Sequence, residues 1–180
     1  AMWTNPGEIP GDGIDNDGNG YIDDIHGWNF YTGSSTLYSG TEDSHGTHTA
    51  GTIAAARGAG GVTGITDNRY VKIMSLKALG GPYGIGSPDS VIEAIRYAEA
   101  NGASICNLSL GTAAYNEELA AAIRDSHMLF VIASGNGDAN GKGYDTDVSP
   151  IYPASLPYDN VISVASLMFD GSLAATSNFA

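Results

Sequence analysis

The chain has 180 residues, 42 % hydrophobic and 15 % charged, which suits one folded domain with a core and argues against wholesale disorder. Twenty acidic against seven basic residues give a net charge of −13, a surface that repels nucleic acid and anionic lipid, because phosphate binding needs clustered Lys and Arg. One cysteine, Cys106, excludes an internal disulfide and a CxxC metal site, and no apolar run reaches the ~18 residues of a membrane helix.

Residues 1–44 are rich in Gly, Asp and Asn and read as loop with one special turn, Asp15-Asn16-Asp17-Gly18-Asn19-Gly20-Tyr21-Ile22-Asp23-Asp24. Counted from Asp15, oxygen-bearing side chains fall at positions 1, 3, 5 and 9, namely Asp15, Asp17, Asn19 and Asp23. Gly20 at position 6 allows the sharp reversal, and Tyr21 at position 7 would offer its carbonyl. Position 12 is His26 instead of a bidentate glutamate, so the last ligand would pass to Asp24 or water. Crowded carboxylates repel one another until a cation lies between them. The loop 15–26 is therefore expected to hold Ca2+, with a plain acidic turn as the alternative.

A helix of small residues follows over 46–56, then a glycine-rich connection over 58–64 and an apolar strand over 71–78. Residues 82–87 read as an extended loop. The next helix covers 88–101, with Pro88 in its first turn, Val91, Ile92, Ile95 and Ala98 on one face, and Gly102 ending it. Residues 104–110 form a buried strand in which Cys106 is an inert thiol, 116–126 a helix, and 128–134 and 160–166 strands. Strands alternating with helices predict an α/β fold, three-layer αβα with a parallel sheet, and neither a repeat nor a domain boundary interrupts 1–180. Ligands collect at the carboxyl ends of such strands, which places Ser109-Leu110-Gly111 and Ser134-Gly135-Asn136 near one cleft.

The most specific segment is His45-Gly46-Thr47-His48-Thr49-Ala50-Gly51-Thr52-Ile53-Ala54-Ala55-Ala56. It closely resembles the histidine motif of the subtilisin-like serine proteases. The resemblance implies that the helix lies close beneath the sheet and that His45 is the general base, taking a proton from a serine and giving it to the leaving amine. On residues alone His45 could be a helix cap. His48, three residues on, is expected to be packed and hydrogen-bonded, since HExxH spacing and a third metal ligand are lacking. Phe130-Val131-Ile132-Ala133-Ser134-Gly135-Asn136 resembles the oxyanion segment of the same family. Asn136 would then donate to the developing oxyanion, with Ala133, Ser134 and Gly135 beside the substrate; alone, it could be an ordinary turn asparagine. Asn107-Leu108-Ser109-Leu110-Gly111 fails as a GxSxG elbow because position 107 is Asn. It resembles the family's substrate edge, with Ser109, Leu110 and Gly111 walling the pocket. Gly84-Ile85-Gly86 resembles the opposing substrate strand, against the alternative of a flexible loop. Two such edges imply an extended peptide or unfolded protein as substrate.

The family runs in the order Asp, His, Ser. No apolar strand precedes His45 in the sequence, and Asp12, Asp15, Asp17, Asp23 and Asp24 sit in loop-like stretches, while Asp43 is too close to His45 to orient it. The Gly-Thr-Ser-Met-Ala motif is absent; Thr176-Ser177-Asn178-Phe179-Ala180 resembles a segment some tens of residues before it. Residues 57–62 lack any side-chain oxygen, so the family's calcium site after the histidine helix is not expected. Residues 1–180 thus read as a partial peptidase domain, an incomplete subtilisin-like fold. This chain alone is expected to be inactive, and to self-associate or exchange strands through bare apolar faces. The resemblance and composition imply an extracellular, calcium-stabilised endopeptidase, although no segment reads as a signal peptide. The competing readings are a non-catalytic peptide-binding or regulatory relative, and a calcium-binding structural module.

Overall fold

The computed structural model describes residues 1–58, 60–66 and 69–180; Ala59, within the glycine-rich connection, lies outside the described residues. The chain forms two compact units, Ala1–Asn101 and Gly102–Ala180. Both are parallel α/β, the class expected from the sequence.

The first unit contains β1 (Gly27–Asn29), a 3₁₀ turn (Thr41–Asp43), α1 (Ser44–Ala54), β2 (Ser75–Lys77) and α2 (Pro88–Ala100). β1 pairs parallel with β2 in the register Gly27↔Ser75, Trp28↔Leu76, Asn29↔Lys77. A short strand therefore precedes His45 within the stretch 1–44 that the sequence reads as loop, although it is no apolar run. Gly-Trp-Asn shows no alternation, and its strand form comes from close approach to β2. Gly27 has φ 125°, and a Cβ there would lie 1.9 Å from the Ser75 carbonyl oxygen. The strand ends in Asn29, not in a carboxylate. That buried amide donates to Thr36 O at 2.7 Å and accepts from the Tyr31 and Thr32 N–H groups. β2 is shorter than 71–78 because only the stretch facing β1 finds a ladder; Ile73 makes an isolated bridge to Met2 instead.

In α1 only Ala54 is buried, and an added Cβ at Gly46 or Gly51 would meet no atom within 4 Å. Among the described residues, the close packing expected of its small residues is not made. His48 is exposed rather than packed. α2 follows its sequence signals. Ser87 Oγ accepts from Ser90 N at 3.1 Å, Pro88 opens the first turn, and Val91, Ile92, Ala94, Ile95 and Ala98 are buried. Gly102, at φ 77°, follows its C-cap Asn101. Residues 82–87 are not extended. Gly80 and Ile85 exchange both backbone hydrogen bonds, at 3.1 and 3.0 Å, and Gly84 N donates to Gly81 O, closing a tight reversal.

The second unit holds β3 (Ile105–Leu108), α3 (Glu117–Arg124), β4 (Leu129–Ala133) and β5 (Val161–Val164), in the parallel order β3-β4-β5. Phe130 and Ile132 of the central strand are fully buried, with Met128 and Ile123. Burying each such side chain stabilises by about 1.5–3 kcal/mol. α3 is capped by Asn116 Oδ1, which accepts from Leu119 N at 2.8 Å; Glu117 and Glu118 lie in its first turn and Arg124 in its last, each complementing the helix dipole. Cys106 sits in β3, where burial pushes its thiol up to about 11.

Candidate active site

His45 is the second residue of α1, with an exposed side chain. The 3₁₀ turn before it is fixed by Lys77 at the end of β2. Lys77 Nζ lies 2.8 Å from Glu42 Oε1 and 2.7 Å from Asp43 Oδ1, and only 6 % of its side chain is exposed. Asp43 Oδ2 also accepts from Ser39 N. Burial works against charge on both partners. Even so, hydrogen bonding to Lys77 and the Ser39 N–H holds the Asp43 carboxyl below its ordinary range, and the two carboxylates hold the Lys77 ammonium above its own. Among the described residues no carboxylate hydrogen-bonds the His45 ring.

The second unit brings most of the other expected residues together. Ser109, Leu110, Gly111, Ala133, Gly135 and Asn136 line one cavity of about 260 Å³ at the ends of β3 and β4. Both segments continue past strands paired in register, Leu108 opposite Ile132, so the sheet itself sets them side by side. Asn136 is exposed, on a turn made possible by Gly135 at φ 108°. Ser134 turns away from the cavity; buried, its hydroxyl donates to the Asn178 carbonyl at 2.9 Å. Ile151 completes the lining and is absent from the sequence expectations. It is placed by Thr112 and Tyr152, which exchange hydrogen bonds at 2.9 and 2.7 Å and set its side chain 3.2 Å from where a Gly111 Cβ would be. An apolar residue inside a polar loop is the only signal the sequence holds for it.

Gly84, Ile85 and Gly86 belong to the first unit. The Ile85 N–H and C=O are both taken by Gly80, while its side chain is exposed. A Cβ on Gly86 would fall 2.4 Å from the Ala78 carbonyl oxygen.

The acidic loop is organised differently from a simple position count. Asp15 accepts from the N–H groups of Gly20 and Gly18, both at 2.8 Å, and of Asn19 at 3.1 Å. The Gly20 N–H leads in holding its carboxyl below the usual range. Asp23 accepts from Gly11 N at 2.7 Å and Gly13 N at 3.1 Å. The Tyr21 ring packs on Trp28, Phe30 and Tyr97 at centroid distances of 5.1, 5.6 and 5.1 Å. Oxygens of Glu8, Asp17 and Asp24 instead lie within 4.8 Å of one another. Asp24 is fully buried and accepts from Asn5 Nδ2, Asn19 Nδ2 and the Tyr97 hydroxyl, all uncharged donors. Burial, then the Asp24 hydrogen bond, pushes the Tyr97 hydroxyl well above its ordinary value. Of the five expected ligands, Asp17 is in this group and Asn19 touches it. Glu8, whose oxygens accept from Asn16, Asp17 and Asp23 N–H groups, was hidden by its distance from the loop.

A family model described as the subtilase family matches residues 11–180. The chain is 35 % identical over 137 residues to the major intracellular serine protease of Bacillus subtilis, covering 74 % of this chain and 41 % of that protein. It is 31 % identical over 144 residues to subtilisin DY of Bacillus licheniformis, covering 79 % and 49 %. Among solved structures, the psychrophilic subtilisin-like protease Apa1 from Pseudoalteromonas sp. AS-11 superposes with a TM-score of 0.66 at 32 % identity, over 84 % of this chain and 33 % of that one. The chain thus spans half or less of the length of these relatives.

Proposed function

The chain belongs to the subtilase family, and from that premise we propose that residues 1–180 supply the general base and the oxyanion donor of a serine endopeptidase acting on extended peptide. The observation that carries this reading is the cavity in the second unit, lined together by Ser109, Leu110, Gly111, Ala133, Gly135 and Asn136, with the Asn136 side chain exposed. In this mechanism His45 takes the proton of a serine hydroxyl as that oxygen attacks the scissile carbonyl, and returns it to the departing amine nitrogen. Asn136 Nδ2 donates to the carbonyl oxygen as it becomes an oxyanion. Removing such a donor lowers turnover by about 10²–10³, a magnitude known from a subtilisin. Ile151 and Leu110 supply apolar lining to the pocket.

Residues 1–180 contain no Gly-Thr-Ser-Met-Ala segment, and β1 ends in Asn29 rather than an aspartate. The proposal therefore includes that this 180-residue polypeptide by itself does not hydrolyse peptide bonds, for want of a nucleophile. A fluorogenic peptide assay on the purified polypeptide tests it. The expected result is no turnover above background; turnover abolished by a serine-directed phosphonate would refute it.

Calcium is part of the same proposal. Three carboxylates converge, one of them fully buried and held only by neutral donors, which is the donor chemistry a hard divalent cation takes. Glu8, Asp17 and Asp24 would hold the ion, which would offset their mutual repulsion and stiffen the loop; Asp15 and Asp23 shape the backbone around it.

A further inference from the structure

We propose that Asn178 is a positioning residue for the oxyanion donor, acting through the turn that carries Asn136; this rests on the oxyanion reading of Asn136 given above. Asn178 lies 42 residues downstream in sequence and is completely buried. Its groups grip the turn on both sides of Asn136. On the near side, Asn178 N donates to Gly135 O at 3.1 Å, and the Ser134 hydroxyl donates to Asn178 O at 2.9 Å. On the far side, Asn178 Oδ1 accepts from Gly137 N at 3.0 Å and from Tyr144 N at 3.3 Å. The two residues before Asn136 and the one after it are thus tied to a single residue, while the Asn136 side chain itself stays exposed.

The chemistry of the side chain fits this work and little else. Two N–H donors meet at one end of the amide, which identifies that end as oxygen. The other end, Nδ2, is buried with no hydrogen-bond partner. An unmet buried donor is unfavourable, and few survive in folded proteins. Leucine would fill the space without that defect but would leave the Gly137 and Tyr144 N–H groups unmet. Aspartate would accept from both but would bury a charge. A neutral carboxamide is the side chain that accepts twice without charge. Its Nδ2 rests against Gly135, where any Cβ would lie 2.4 Å away. Glycine at 135 is therefore required twice, by its positive φ and by this contact.

Catalytic donors act only when aimed. A misplacement of about 1 Å lowers turnover by about 10²-fold without weakening ground-state binding to match. The test is steady-state kinetics on a peptide anilide with the natural full-length gene product. Asn136→Ala should lower kcat by about 10²–10³-fold, and Asn178→Ala by about 10²-fold with KM changed less than about 3-fold. Asn178→Asp, which keeps the acceptor but buries a charge, should recover part of the lost kcat. The double variant Asn136→Ala/Asn178→Ala should be no slower than Asn136→Ala, because both act on one interaction. Should Asn178→Ala fail to fold, Ser134→Ala, which removes a single tie, carries the same comparison with a loss of about 10-fold. An unchanged kcat in Asn178→Ala, or losses that multiply in the double variant, would overturn the positioning role and leave the oxyanion reading standing. An unchanged kcat in Asn136→Ala, or no turnover in the parent, would end the oxyanion reading and this inference with it.

Discussion

The Tyr97 hydroxyl donates to the Asp24 carboxylate at 2.5 Å, tying helix α2 to the acidic loop across 73 residues of chain. Asp24 has no contact with water, so each donor it loses is not replaced by solvent. Tyr97→Phe keeps the ring contacts with Tyr21 and Phe30 and removes only this bond. It should destabilise the chain by about 1.5–3 kcal/mol, the range for a hydrogen bond to a charged group, read as a lower midpoint in urea unfolding.

Calcium chloride should raise the thermal unfolding midpoint, and EDTA should reverse the rise. At a hundredfold excess over Kd the stabilisation is about 2.7 kcal/mol. Asp17→Asn and Asp24→Asn should abolish the response. Asp15→Asn should lower stability, by weakening the bonds its carboxylate accepts from Gly18 and Gly20, yet leave the response intact, because Asp15 is not one of the three converging carboxylates. A response that follows Asp15 instead would restore the ligand set counted along the sequence.

The Lys77 clamp gives stability a defined pH window. The Asp43 carboxyl sits below its ordinary 3.8, so its contribution is complete above that value and is lost as pH falls through the lower, folded one. The Lys77 ammonium sits above its ordinary 10.5, so its contribution is complete below that value and is lost as pH rises through the higher, folded one. Lys77→Met should remove the alkaline limb and weaken the acid one, where the Ser39 N–H still holds the Asp43 carboxyl down. It should also destabilise at neutral pH by about 2 kcal/mol, less than a fully buried pair because the Glu42 side chain is 31 % exposed. Unfolding midpoints across the pH range, parent against variant, measure both effects.

In the full-length gene product, Ile151→Ala should widen the pocket. The ratio of kcat/KM for large over small apolar side chains next to the scissile bond should rise by about 10-fold, measured on a peptide series. An unchanged ratio would mean that the cavity does not receive that side chain.

Legibility in the sequence followed the physics of each signal. Helix α2 announced itself through Ser87, Pro88 and a 3.6-residue apolar period, and β4 through an unbroken apolar run, because local propensity and burial agree there. Ser109–Gly111 and Ala133–Asn136 could be set together because parallel strands end at the same edge. β1 could not be read, since Gly-Trp-Asn becomes a strand only through its partner, and the Gly81–Gly84 reversal was masked by a proline that suits extended chain equally well. Glu8, Ile151 and Asn178 were missed for one reason: each does its work through contacts with residues distant in sequence, which no local pattern encodes.

Cys106 turns β3 into its own timekeeper. With its thiol pushed up to about 11, roughly one molecule in ten thousand carries the reactive thiolate at neutral pH, whereas an unfolded cysteine near 8.5 carries a few per cent. Alkylating reagents therefore mark the native chain far more slowly than the unfolded one. The excess of the labelling rate over that slow background reports how often the second unit opens, with no engineered probe and no second thiol to confuse the signal.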